Sequence, residues 1–222
     1  MAGATTLGNL AGAIGVRAEE SAIVAELKAG SEEAYAWLIG EFHQPIYSLV
    51  YRIVTDPADA ADTTQDVFLK VFRGMKHFHG ESSLKTWIYR IAVNEARNHR
   101  RWFSRHRRQE VGLEARPGET HGCQDYLPDP GRSPYEAALD HETQALLEGA
   151  LAMVNPRFRA ALVLREIEGL SYEEISEILD VSLGTVKSRI LRGRDALRKH
   201  LAGRLETASA PELVPTVGGL TA

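Results

Sequence analysis

The chain has 222 residues, 44% hydrophobic and 25% charged, a composition typical of one large or two small globular domains. Its single cysteine, Cys123, excludes an internal disulfide and a cysteine-rich zinc site. No apolar run approaches the roughly 18 residues of a membrane span, and the segment before Arg17 lacks the basic residues of a secretory signal. We therefore expect a cytoplasmic protein that does not insert into a membrane.

The formal net charge of −4 conceals a strong partition of charge along the chain. Residues 85–108 contain eight Lys and Arg and one acid, and residues 181–204 contain seven and one. These two segments therefore carry +7 and +6, and the rest of the chain carries −17. Two basic segments in an acidic protein favour two separate contacts with a polyanion, although helix faces exposed only to water would give the same counts.

Nearly every periodic segment has the 3.6-residue period of a helix, and strand patterns are missing, so we predict an all-α fold. Capping residues mark the predicted helix starts. They are Ser31, Asp56 before Pro57, Ser133 before Pro134, Asn155 before Pro156, and the capping box of Ser171 and Glu174.

The apolar period disappears between Gln109 and Pro134, where Gly and Pro accumulate. We therefore predict two small helical domains, residues 21–108 and 135–204, joined by a flexible linker at 109–134. Residues 1–20 and 205–222 are rich in small residues and are predicted to be disordered tails.

A predicted helix over residues 62–75 has two contrasting sides. Its predicted buried side consists of Val67, Phe68, Val71, Phe72 and Met75. The opposite side carries Asp62, Asp66, Leu69 and Arg73, with Gln65 beside them. A leucine among charges is either an ordinary surface residue or part of a docking face for a partner helix.

The next predicted helix, from Leu84 to about Arg101, has a core side and a basic side. The core side contains Leu84, Ile88, Ile91, Ala92 and Glu95. On the other side, Arg90, Asn94, Arg97 and Arg101 fall within about 60° of one another. Arginines neutralise phosphates and an asparagine amide pairs with a base edge, so this side suits nucleic acid. Trp87 lies at the border, as a core residue or as a platform for unpaired bases.

Residues 171–201 have the pattern of a helix-turn-helix. A short helix to Leu179 and a second helix after Ser182 are separated by a tight turn at residues 180–182. The residues predicted to face the core are Ile175, Ile178, Leu179, Val186 and Ile190, continuing to Leu197 and Leu201. The second helix presents Lys187, Ser188, Arg189, Arg192 and Arg194 on its other faces, as expected for a helix that enters the major groove.

Three runs of sequence resemble a known family. They are DTTQDVFLKVFRGM, SSLKTWIYRIAVNEARNHRR and LREIEGLSYEEISEILDVSLGTVKSRILRGRDALR. These runs are similar to regions 2 and 4 of bacterial RNA polymerase sigma factors of the extracytoplasmic function (ECF) group of the sigma-70 family, sigma-E type. The similarity covers about residues 21–108 and 135–201. One departure is that Thr63 and Thr64 stand where a Leu-Val pair is more usual.

The resemblance implies a sigma factor that binds core RNA polymerase, recognises the −35 and −10 promoter elements, promotes strand opening and directs transcription initiation. It implies a stress or envelope-response regulon and control by an anti-sigma factor, often membrane-anchored. A protein of this family is expected to need no cofactor. The linker would thread through the polymerase toward the RNA exit channel.

The resemblance also assigns residues to three surfaces. Docking on core polymerase, through the β′ clamp helices, would use Asp62, Gln65, Asp66, Leu69 and Arg73, and the β flap is a further expected contact. The −10 element would be bound by Asn94, Arg90, Arg97, Arg101, Trp87 and Lys85, with Asn94 at the pocket for a flipped-out base. The −35 element would be bound by Thr185, Lys187, Ser188, Arg189, Leu191 and Arg192.

Two rival classes make different predictions. An enzyme is disfavoured because the chain has no P-loop, no GxGxxG after a strand and no HExxH. His77 and His79 form the only close histidine pair, and the basic helix contains only Glu95, so we predict neither a catalytic nor a metal site. A stand-alone helix-turn-helix regulator is the closer rival, but it would leave Asn94 and Leu69 without a role.

Overall fold

The computed structural model describes residues 20–106 and 134–208, with side chains described at 20–101 and 143–203. All regular structure in these two stretches is helical, which confirms the all-α prediction. The helices are α1 (residues 20–29), α2 (Glu32–Val54), α3 (Pro57–Gly74), α4 (Leu84–His106), α5 (Pro134–Met153), α6 (Pro156–Glu166), α7 (Tyr172–Leu179) and α8 (Leu183–Ala208). A 3-10 turn, Met75–His77, follows α3.

Most of the predicted linker and tails lies outside the described residues. At one boundary the structure differs from the prediction. The last helix, α8, continues to Ala208, four residues into the segment predicted as a disordered tail. We call α1–α4 the N-terminal domain and α5–α8 the C-terminal domain.

Capping side chains start the helices at the predicted positions. Ser31, Asp56, Asn155 and Ser171 each accept a hydrogen bond from a backbone N–H two or three residues later. Glu174 completes the predicted capping box by accepting the amide of Ser171 at 2.7 Å. These bonds satisfy N–H groups that have no partner inside the helix, which explains why each helix begins there. The fifth predicted cap, before α5, lies outside the described residues.

The N-terminal domain is a bundle in which α2, α3 and α4 pack against one another. Its largest fully buried side chains are Leu27, Leu38, Ile46, Leu49, Ile53, Met75, Ile88 and Tyr89.

Phe72 was predicted to be buried, and this prediction is wrong because its side chain is 60% exposed. The buried stripe of α3 is narrow, since Val67, Val71 and Met75 repeat at four-residue spacing and fill it. Phe72 lies one residue, about 100°, further round the helix and reaches the surface. Its ring contacts the ring of Tyr35 there, with 4.9 Å between centroids.

The C-terminal domain contains the predicted helix-turn-helix, formed by α7 and α8. Asp180 ends α7 in the left-handed conformation, with φ of 51°, which allows the sharp turn before α8. All five residues of the predicted core, from Ile175 to Ile190, are buried, whereas Leu197 and Leu201 are half-buried. The central helix of the domain is α6, in which six consecutive residues, Arg159–Leu164, are buried.

The two domains pack against each other, which the sequence did not predict. Helix α4 lies on α7, and α2 lies on α5 and α6. The buried apolar residues of both domains form one continuous cluster. Parts of the two basic segments are therefore brought close together.

Gly193 marks a close approach of α8 to α6. A Cβ added there would lie 3.2 Å from the carbonyl oxygen of Phe158 and 3.3 Å from Cβ of Leu162. We expect Gly193→Ala to lower the free energy of unfolding by about 1 kcal/mol, because the clash outweighs the gain in helix propensity. Gly40→Ala is the control, since an added Cβ meets nothing within 4 Å there, and we expect it to gain up to about 1 kcal/mol. Urea unfolding followed by circular dichroism measures both, and equal stabilisation would contradict the close contact.

Candidate nucleic-acid interface

The basic side of α4 is partly exposed and partly covered. Asn94 and Arg101 are exposed, whereas Arg90 and Arg97 are half-buried. Lys85 is exposed, with its Nζ 5.5 Å from the ring centroid of Tyr89. The exposed amide of Asn94 can hydrogen-bond to the edge of a nucleic-acid base, and the guanidinium groups around it can contact phosphates.

Trp87 is half-buried and packs as a core residue on one side. Its ring centroid lies 5.1 Å from that of Phe78, and its indole would be 3.1 Å from a Cβ added at Gly74. One part of the ring therefore packs in the domain while another remains accessible.

The start of α8 presents a polar surface beside two exposed leucines, Leu183 and Leu191. Ser182 caps the helix by accepting the amide of Thr185, and Ser188 Oγ donates to the carbonyl of Thr185 at 3.0 Å. Lys187, Ser188 and Leu191 are exposed, Leu191 by 60%.

Two arginines of α8 have different surroundings. Arg192 is exposed, and its guanidinium lies 5.9 Å from the ring centroid of Phe158, which orients it. Arg189 is half-buried at the side of α8 that faces the rest of the molecule, as is Thr185. The exposed residues are accessible to a binding partner, whereas the half-buried ones also pack against the rest of the molecule.

The predicted docking stripe on α3 is exposed along its whole length. It consists of Asp62, Gln65, Asp66, Leu69 and Arg73. Leu69 is 49% exposed. Thr63 and Thr64 are buried, so they pack within the bundle rather than on this surface.

Phe72 adds to this surface, and the sequence interpretation missed it. It lies three residues after Leu69, so the two exposed apolar side chains are neighbours on the helix. The three-residue spacing of Leu69 and Phe72 is a signal in the sequence, but the helical period of the predicted helix places Phe72 on its buried side. Leu69 and Phe72 together form an exposed apolar patch on α3, and the acidic residues of the stripe lie beside it.

Arginines of the two basic segments meet where the domains pack. Burial, and next the charge of Arg189, lower the pKa of Arg97. Burial and the charge of Arg157 lower the pKa of Arg189. Two guanidinium nitrogens, Arg90 Nε and Arg189 Nη1, are buried without a hydrogen-bond partner among the described residues. The repulsion between Arg97 and Arg189, and the guanidinium nitrogens of Arg90 and Arg189 that lack a hydrogen-bond partner, both favour the binding of an anion.

Other features of the described residues concern rival functions. No group of three or more His, Cys, Asp and Glu side chains in residues 20–106 and 134–208 is arranged to hold a metal ion. Glu95, the acid of the basic helix, pairs with Lys70 at 2.6 Å and is only 16% exposed. No helix in these described stretches is long and apolar enough to cross a membrane.

Comparison with known proteins gives consistent matches in both domains. Residues 38–107 match the family described as Sigma-70 region 2, and residues 144–197 match the family described as Sigma-70, region 4. The chain is 35% identical to the RNA polymerase sigma-H factor of Pseudomonas aeruginosa, over 86% of this chain and 97% of that protein. It is 33% identical to the ECF RNA polymerase sigma-E factor of Escherichia coli K12, over 80% and 92% respectively.

Two solved structures share the fold. One is the sigma factor RpoE of Bartonella quintana in complex with the anti-sigma factor NepR, with a TM-score of 0.61, 23% identity, and coverage of 76% of this chain and 96% of that one. The other is CnrH in complex with the cytosolic domain of CnrY, with a TM-score of 0.55, 19% identity, and coverage of 86% and 99%.

Proposed function

Because this chain belongs to the ECF group of sigma-70 family RNA polymerase sigma factors, we propose that its three exposed surfaces carry the functions of promoter and polymerase binding. Like other members, it is a non-catalytic subunit that directs transcription initiation. The observation that carries the proposal is the joint exposure of Asn94 on α4, Arg192 on α8 and Leu69 on α3. We assign residues 21–108 to region 2 and residues 135–204 to region 4.

Helix α4 is proposed to bind the −10 element after the strands separate. Asn94 contacts a base that has left the stack, and Arg90, Arg97 and Arg101 neutralise the surrounding phosphates. Extrusion of a base costs a few kcal/mol, and contacts to its exposed edge recover that cost. Trp87 lies about two turns and Lys85 about two and a half turns before Asn94, and both are proposed to extend the contact toward the start of α4.

Helix α8 is proposed to read the −35 element in the major groove. Its exposed Lys187, Ser188, Leu191 and Arg192 reach base edges, because the start of a recognition helix is the part that enters the groove. Arginine pairs with two acceptors of a guanine, whereas leucine contacts a thymine methyl group. Thr185 and Arg189 contact phosphate or support the helix.

The α3 stripe is proposed to bind the β′ clamp helices of core polymerase. Leu69 and Phe72 supply apolar contacts, and the acidic residues Asp62 and Asp66 supply charge complementarity to a basic partner.

A second polymerase contact, the β flap, is proposed for an apolar groove in the C-terminal domain. This groove has a volume of about 370 Å³. Its apolar lining consists of Leu147, Leu151, Leu162, Val163, Ile167 and Leu197. Leu147 and Ile167 are exposed, which gives a helix of the flap an apolar surface to cover.

An anti-sigma factor is the third proposed class of partner. Both structural relatives are in complex with a second protein, and for one of them that protein is named as an anti-sigma factor. We propose that such a factor, free or anchored to a membrane, controls this chain in the cytoplasm. A stress or envelope-response regulon fits this type of control.

Reconstitution with core RNA polymerase and a promoter library tests the proposal. We expect the protein to direct initiation at promoters that share a −35 and a −10 element, and to bind the same DNA only weakly when alone. Absence of stimulated transcripts, together with tight dimeric binding of an operator by the free protein, would favour a stand-alone regulator instead.

Leu69→Asp should abolish association with core polymerase without unfolding the protein. The substitution places a charge in the centre of the proposed interface, whereas an exposed helix position tolerates an aspartate at small cost in stability. Co-purification with core enzyme measures association, and Met153→Asp, at another exposed apolar residue, is the control. A marked fall in Tm for Leu69→Asp would instead assign Leu69 to the core.

Asn94→Ala should leave −35 binding intact but impair strand opening. The side chain is exposed on the surface of α4, so we expect its loss to remove the proposed base contact at small cost in stability. Permanganate footprinting of the holoenzyme on a promoter measures opening, and protection of the −35 element in the same complex is the internal control. Normal permanganate reactivity in the variant would remove Asn94 from the −10 contact.

Arg192→Ala should change the preference for −35 sequences and cost about 1–3 kcal/mol, because a bidentate base contact is lost. Arg198→Ala is the matched control, since Arg198 is an exposed arginine later on α8 that lies 3.7 Å from Asp195. Selection from a randomised −35 library by the holoenzyme measures both. A uniform loss of binding with unchanged preference would make Arg192 a phosphate contact.

A further inference from the structure

We propose that Lys70 of α3 is a positioning residue for the −10 strand, because it holds and neutralises Glu95, the acid beside Asn94 on α4. This role belongs to the −10 surface proposed above and therefore rests on the proposed function. Lys70 lies outside the three surfaces described so far. The observation that carries its role is one ion pair between two helices that have different proposed partners.

Glu95 is unusual in its surroundings. It is the one acid among residues 85–108, which contain eight Lys and Arg. Its side chain is 16% exposed, so water screens its charge poorly and the carboxylate needs a partner.

Glu95 also follows Asn94 directly on α4. Consecutive Cα atoms are about 3.8 Å apart, well inside the Debye length of about 8 Å at physiological salt. An uncompensated Glu95 carboxylate would therefore repel a phosphate that approaches Asn94.

Lys70 provides the compensating charge from a different helix. Its Nζ lies 2.6 Å from Oε2 of Glu95, and its own side chain is 52% exposed. Among the side chains described at 20–101 and 143–203, Lys70 is the one cation paired with Glu95. The charge of the acid is therefore cancelled from α3 and not from within α4.

Lys70 lies at the edge of the α3 stripe that is nearer to α4. At about 100° per residue, it is about 40° round the helix from Asp66 of the stripe. Phe72 lies at the opposite edge, where its ring contacts Tyr35 of α2. A partner that covers the stripe also removes water from around Lys70, which strengthens the attraction between Lys70 and Glu95.

An ion pair that only fastens α3 to α4 makes a different prediction. Loss of either partner would then weaken the packing of the two helices, and both losses would impair DNA binding alike. If Lys70 instead neutralises the acid, its loss leaves a carboxylate that repels DNA, whereas loss of the carboxylate removes the repulsion. The two substitutions should therefore have different effects on DNA binding.

A double-mutant cycle of Lys70→Met and Glu95→Gln tests the proposal in the full-length protein. Anisotropy measures the binding of a fluorescent oligothymidine to the free protein over a series of salt concentrations. We expect Lys70→Met to weaken binding about fivefold and Glu95→Gln not to weaken it. The double variant should bind within about twofold of Glu95→Gln, because Lys70 acts through the acid.

The salt dependence of binding separates charge from packing. For single-stranded DNA, the logarithm of affinity falls with the logarithm of salt concentration, with a slope of about −0.7 for each neutralised phosphate. An uncompensated Glu95 cancels up to one such contact, so the slope for Lys70→Met should be shallower by up to about 0.7. Looser packing of the helices would lower the affinity without this change in slope.

The same variants in the holoenzyme test the consequence for the −10 strand. The holoenzyme is purified before the assay, so that any change in association with core polymerase does not affect the result. We expect Lys70→Met to reduce the permanganate reactivity of the −10 region. Adding Glu95→Gln to Lys70→Met should restore the reactivity.

Three further variants serve as controls. Lys199→Met removes an exposed lysine of α8 and Glu41→Gln removes an exposed carboxylate of α2, both outside the surfaces proposed to bind DNA. Each should change the oligothymidine affinity by less than about twofold. Lys70→Arg keeps the charge beside Glu95 and should bind as the parent protein does.

Two results would overturn the proposal. Equal weakening by Lys70→Met with and without Glu95→Gln would make Lys70 a direct DNA contact. Weakening by Glu95→Gln alone, with a lower Tm, would make the pair a purely structural one. The oligothymidine measurement needs neither promoter nor polymerase, so its failure is distinguishable from failure of the transcription assay.

Discussion

Burial of α6 is the constraint on which the rest of the molecule depends. Six consecutive residues of this helix are buried, so it needs neighbours on every side. Helices α7 and α8 cover part of it, and α2 of the N-terminal domain covers another part. The one charged residue in the buried run, Arg159, can be buried only because two helices end around it and offer carbonyl groups. The two domains therefore pack so that α2, α7 and α8 together cover the apolar surface of α6.

Local features of the sequence predicted the helices well. Each cap that the described residues include, from Ser31 to Ser171, satisfies the amides it was expected to satisfy, because capping depends on residues only two or three positions apart. Burial could be predicted where apolar residues recur at regular helical spacing, as at Val67 and Val71. Phe72 shows the limit of this reasoning. An aromatic residue at the edge of an apolar stripe is either buried or exposed, depending on which side chains of other helices pack beside it. The periodic pattern of one helix does not identify those side chains.

The contact between the domains could not be predicted in the same way. Arg159 and its acceptors in α2 are more than a hundred positions apart in the sequence, and no periodic pattern relates them. The only signal was an arginine inside an apolar run, which indicates a buried cation but not its acceptors. The candidate surfaces were predicted because each lies on a single helix, where spacing determines which side chains share a face. Membership of the sigma family is shown by similarity over most of the chain.

The arginines that meet between α4 and α8 also make the protein sensitive to its ionic surroundings. Dissolved salt screens the repulsion among Arg97, Arg157 and Arg189, and so stabilises the packing of the two domains against each other. The same salt weakens binding to nucleic acid, because counterions released from neutralised phosphates gain less free energy when the surrounding salt is more concentrated. Salt therefore acts at the same time on the contact between the domains and on the proposed contacts with DNA.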